Sequence, residues 1–170
     1  EKFSTCWDDH DEPYLQSRRD LPAAPRPLPD LATEEGAAEW ILSSPEACCN
    51  LTDPAILSQV LNGYDRETPD FFRWKVRYTQ EELSALVARN TGRDLGLVRQ
   101  LVPLRRGPSG RISLLRIEGI RQSLTIGKEL FIRRVLSETH LYSSAFVVRR
   151  EGSGFVLHGA GWGHGVGLCQ

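Results

Sequence analysis

The residues whose types and spacing bear most directly on chemistry close the chain: His158-Gly-Ala-Gly-Trp162-Gly-His164-Gly-Val-Gly-Leu-Cys169-Gln170. Glycine recurs at every second position from Gly159 to Gly167. Two backbones fit that alternation. An extended segment would send His158, Ala160, Trp162, His164 and Val166 to one face and leave the other bare. A tight loop would use the glycines for positive φ. In a strand interior each glycine costs stability, so the extended form needs a reason such as close approach of another backbone or a ligand.

The chemistry that best fits these residues is recognition of a carbohydrate. Trp162 offers a flat apolar face for a sugar ring with a polar N–H at its edge. Gly161, Gly163 and Gly165 let a glycan approach the backbone amides, so these three and Trp162 are the candidate substrate-binding residues. His164, with an ordinary pKa of about 6.5, suits a proton shuttle or a hydrogen bond to an acetamido or hydroxyl group, and is the catalytic candidate. The plain alternative puts Trp162 in the core and makes His164 structural.

Other chemistries fit less well. A phosphate loop needs a Gly-Lys-Ser/Thr ending that is missing, and the dinucleotide fingerprint needs a wider gap between its glycines. His158 and His164 lie roughly 20 Å apart along a strand, too far to share a zinc ion unless the chain folds back. No nucleophile elbow is present.

The run Gly-Ala-Gly-Trp162-Gly-His164-Gly-Val-Gly-Leu-Cys-Gln resembles the C-terminal signature of the stage II sporulation protein D family. That family groups peptidoglycan lytic transglycosylases with amidase enhancers of the bacterial cell envelope. Phe72-Arg-Trp74, Ser109-Gly-Arg111, Ser143-Ser-x-Phe146 and, more weakly, Pro13-Tyr-Leu15 are similar to further family stretches. The resemblance implies an exported, extracytoplasmic domain acting on peptidoglycan glycan strands, with a cell-wall amidase as a second possible partner. Family transglycosylases cleave with one acidic residue of raised pKa. The resemblance places that glutamate in an N-terminal motif that this chain does not match. The expectation is a C-terminal portion that is inactive alone; a non-catalytic wall-binding module or amidase enhancer is the alternative.

Composition narrows the field. With 170 residues, 40% of them hydrophobic, the chain is long enough to bury one core. No apolar run approaches a membrane span. The net charge of −1 gives no argument for nucleic acid. The chain carries no methionine and begins at Glu1, which reads as a processed product or fragment. Cys6, Cys48, Cys49 and Cys169 show no C-x-x-C spacing, and any disulfide pairing stays open. Cys6-x-x-x-His10 beside Asp8, Asp9, Asp11 and Glu12 supplies only half of a zinc site, so neither a metal nor a cofactor is expected.

The elements that must position the closing stretch follow from pattern. Residues 1–32 are Pro-rich, acidic and irregular; residues 33–170 form the remaining unit. Helices are expected over 33–42 behind a Thr33 cap, over 53–61 behind Thr52, and from the Thr79-x-x-Glu82 capping box to Gly92. A further helix is expected over 128–137, with Leu130, Ile132, Val135 and Leu136 on its apolar side. Strands are expected over 71–78, 97–102, 111–117, 122–126, 142–148 and 154–158, with Phe72, Trp74, Val76 and Tyr78 sharing one face. The fold class is α+β, mostly antiparallel sheet with a few short helices.

Overall fold

A computed structural model describes residues 29–43, 72–163 and 165, with 45, 47, 50, 53, 55 and 59. Nearly all of the irregular segment, most of the helix expected over 53–61, and all four cysteines lie outside the described residues. The chain is α+β, as its pattern predicts, and its antiparallel strands divide between two sheets.

Helix α1 (Glu34–Leu42) starts where Thr33 accepts the Gly36 amide at 3.0 Å. Strand β1 (Arg73–Tyr78) leads into α2 (Gln80–Thr91), opened by the Thr79–Glu82 capping box and closed by Gly92 at φ 68°. Strands β2 (Val98–Arg106), β3 (Ile112–Gly119) and β4 (Ser123–Gly127) form a meander in that order. Pro103 is tolerated because β2 is an edge strand with a shifted register beside it. Helix α3 (Glu129–Val135) leads to the hairpin of β5 (Phe146–Glu151) and β6 (Gly154–Ala160). The second sheet has the order β1-β6-β5, so its central strand is the last one described.

One core joins both sheets to α2 and α3. Phe146, Phe155 and Leu157 of the second sheet pack with Leu115 and Ile117 of β3, Leu83 and Val87 of α2, and Ile132 of α3. Each such side chain contributes about 1.5–3 kcal/mol on burial. A smaller cluster of Ala37, Ile41, Val147 and Ala160 seats α1 on the other face of the second sheet. Glu34 in the first turn of α1 ion-pairs with buried Arg106, which also donates to the carbonyls of Gly110 (2.7 Å) and Phe146 (2.8 Å).

Two expectations need correction. The strand expected over 142–148 begins only at Phe146. Ser143 Oγ accepts the Ala145 amide at 3.1 Å and donates to the Ala160 carbonyl at 2.7 Å, and such local bonds compete with a strand ladder. The helix expected over 128–137 is shorter, and its buried side includes Glu129 and Arg133 beside Ile132, Val135 and Leu136.

Candidate functional site

The closing stretch combines the two backbones its sequence leaves open. His158, Gly159 and Ala160 belong to β6, whereas Gly161, Gly163 and Gly165 take φ of 67°, 73° and 74°. Among the described residues, the alternation is therefore strand up to Ala160 and loop beyond it. Gly161, Gly163 and Gly165 thus occupy the left-handed region that side chains disfavour. Gly159 has a different reason. The Trp74 indole lies over it, across the β1–β6 register, so closely that a Cβ there would collide with the ring. The close approach foreseen for a strand glycine is made by an indole of the protein itself.

The loop is fixed at its backbone. The Gly161 amide donates to the Phe72 carbonyl at 3.1 Å, and the Gly161 carbonyl accepts from Trp74 Nε1 at 3.1 Å. The Gly163 amide donates to the Tyr142 carbonyl at 2.8 Å, and its carbonyl accepts from Arg111 Nε at 3.1 Å. Gly165 rests so close to the Arg111 guanidinium that a Cβ would overlap it. Trp74 itself is buried against Tyr142 and Phe146, with ring centroids 6.0 and 6.3 Å away. The Phe72-Arg-Trp74, Ser109-Gly-Arg111 and Ser143-Ser-x-Phe146 stretches thus converge on this one loop.

Between the two anchored glycines stands Trp162, 47% exposed. Its place is not in the core, so the plain structural alternative for this side chain fails. Of the candidate residues, the structure brings together Gly161, Trp162, Gly163 and Gly165; His164 lies outside the described residues. Among the described residues, no three His, Cys, Asp or Glu side chains gather closely enough to hold a metal ion. No described helix is long and apolar enough to cross a membrane.

The sequence profile of the family described as "Domain of unknown function (DUF8618)" matches residues 1–167, a span that takes in the loop and its anchors. The chain belongs to the DUF8618 family. No curated protein and no solved structure matches it.

Beneath the loop of this DUF8618 domain lies a buried charge cluster that its sequence does not advertise. Glu129, 1% exposed, pairs with Arg133 at 3.5 Å and accepts the Ser144 amide. Burial pushes the Glu129 carboxyl above its ordinary range, while the positive charges of Arg133 and Arg111 and these hydrogen bonds pull the other way. Arg133 Nε donates to the Leu141 carbonyl at 2.6 Å. The pair therefore grips residues 141 and 144, and between them Tyr142 and Ser143 hold Gly163 and Ala160. Lys128, at φ 67°, is the only described non-glycine residue with positive φ, and it immediately precedes Glu129. Sealed from solvent, Glu129 has no access to a polymer and serves to set the loop. The signal that could have found the pair is a Glu and an Arg four residues apart on an otherwise apolar helix face.

Proposed function

We propose that this DUF8618 domain binds peptidoglycan glycan strands in the cell envelope, outside the cytoplasm, through the Gly161–Gly165 loop. Trp162 stacks against a sugar ring, and the flanking glycines let the strand lie close to the backbone. His164 is assigned the proton-handling or hydrogen-bonding role at the same loop. The observation that carries this reading is the half-exposed indole of Trp162 on a loop whose neighbouring glycines are fixed by backbone hydrogen bonds. An aromatic ring held open to solvent on a backbone fixed from below is suited to a ligand. The resemblance to stage II sporulation protein D domains supports the same ligand. On that reading the catalytic glutamate of a lytic transglycosylase lies outside this chain.

A second reading, a non-catalytic wall-binding module or amidase enhancer, draws on Glu129. The one described carboxyl that burial visibly perturbs upward is closed off from any substrate. Retention on purified sacculi tests the binding claim. The wild-type chain is expected to be retained and Trp162→Ala to wash off while keeping its circular dichroism; equal retention of both would overturn it. Anhydro-muramyl products released by this chain alone would refute the placement of the catalytic group elsewhere; with a longer parent protein, such products would support the transglycosylase reading and intact sacculi the binding module.

A further inference from the structure

Among the described residues, those packed on the face of the β1-β6-β5 sheet turned away from the core cover only half of it. Near Ala160 it carries α1, with Trp40 stacked over Arg73 at 4.3 Å. Strand alternation and the cross-strand register place Lys75 and Arg77 of β1, Val156 and His158 of β6, and Arg149 and Glu151 of β5 on the remaining half. Lys75, Arg77 and Arg149 are exposed, and His158 is half-buried. Val156, the register partner of both Arg77 and Arg149, is buried between them. Three fixed positive charges face one negative charge here, on a chain whose net charge is −1.

We propose that this open half-sheet is a docking surface for a linear phosphate-bearing polymer, recognised by its phosphates and not by bases. Charge complementarity names the ligand class: guanidinium groups suit phosphate oxygens, and Arg77 and Arg149 present two of them across one strand. The charges are spread over a flat sheet at intervals of about 7 Å along β1 and about 10 Å between β1 and β5. Such spacing favours repeated charge over a single small anion, which would need converging donors. Glu151 bridges Lys75 at 3.8 Å and Arg77 at 3.5 Å in an exposed arrangement that a polyanion can displace. The six residues of this half include no Phe, Tyr or Trp on which bases could stack, which argues against single-stranded nucleic acid.

His158 supplies a readout of its own. Its pKa lies below its ordinary value, first through burial, then through the charges of Lys75 and Arg149 with a smaller push from Arg77; Glu151 opposes them. A polyanion stabilises the imidazolium, so binding strengthens as pH falls from 7.5 to 5.5.

The test measures binding of the full chain to inorganic polyphosphate at low salt by fluorescence anisotropy. Wild type is expected to bind, with affinity falling as salt rises. The double substitution Lys75→Glu and Arg149→Glu, at exposed positions, is expected to weaken binding by about tenfold or more. His158→Gln is expected to flatten the pH dependence while leaving binding at pH 7.5 nearly unchanged. Trp162→Ala is expected to bind polyphosphate like wild type, which separates this surface from the glycan loop. Absence of binding at low salt would overturn the proposal, as would unchanged affinity of the double variant or a pH profile indifferent to His158→Gln. Tighter binding to single-stranded DNA than to polyphosphate would overturn the choice of ligand.

Discussion

Two halves of one alternating sequence behave differently on either side of Ala160. In the strand half, Gly159 is glycine because the Trp74 indole occupies the place of its side chain. In the loop half, Gly161, Gly163 and Gly165 all take positive φ, and Gly165 in addition lies against the Arg111 guanidinium. The strand half is coupled to the main core through Trp74, Phe146 and Phe155. The loop half hangs on polar contacts to Phe72, Trp74, Arg111 and Tyr142, with the Glu129–Arg133 pair gripping the turn below. A repeated residue type therefore does not imply a repeated task. Gly159 protects packing, whereas the positive-φ glycines shape a surface.

The largest effect is expected where the loop half meets the interior. Arg133→Ala removes the counter-ion of Glu129 and the donor to the Leu141 carbonyl, and breaking a buried pair this way costs about 3–5 kcal/mol. Its pH dependence identifies the cause. The Glu129 carboxyl already sits above its ordinary 4.5, so its contribution to stability is present below that value and is lost as pH rises through the folded pKa. Without Arg133 that pKa rises further, so the deficit seen by urea unfolding at pH 7 should shrink as pH falls toward 4.5. A deficit independent of pH would mean that the Leu141 contact, and not the carboxyl, carries the effect.

Next comes the strand half. Gly159→Ala forces a methyl group into the Trp74 ring, a flat and buried neighbour that can move only by disturbing Tyr142 and Phe146. Overpacking of this kind is expected to cost about 3 kcal/mol in urea unfolding. The double variant Trp74→Leu with Gly159→Ala should be less destabilised than the sum of its single changes, because the collision is removed. Strict additivity would show that the indole is not what keeps position 159 bare.

The parts of this molecule that the sequence made readable are those set by neighbours along the chain. Thr33, the Thr79–Glu82 box and Gly92 delimit two helices because each satisfies backbone groups within one turn. The Gly107–Gly110 turn joins β2 to β3 for the same local reason. What stayed hidden depends on distant partners. Nothing near Gly159 announces Trp74, which reaches it only because β1 pairs with β6. Ser143 and Ser144 sit in a run expected to be strand, and their bonds to Ala160 and Glu129 turn it into an anchor. Glu129 and Arg133 look like solvent-facing charges until the interior closes over both. At the candidate site the exposure of Trp162 bears on its assigned role, since an indole could equally have filled the core.

The smallest of these effects on stability sharpens the comparison most. Gly163 stands at φ 73°, and no heavy atom of the described residues lies within 4 Å of where a Cβ would be, so none of them resists a methyl group. Gly163→Ala is expected to cost only the left-handed backbone strain, about 1–2 kcal/mol, and Gly163→Asn less, because asparagine tolerates that region. Both losses should come without a change in the urea slope, since the core surface exposed on unfolding is the same. The emission of Trp162, one residue away, should report the altered loop in the alanine variant more than in the asparagine one. If Gly163→Ala proves as costly as Gly159→Ala, the two halves are one packed unit. The loop would then lose its standing as a surface free to meet a ligand.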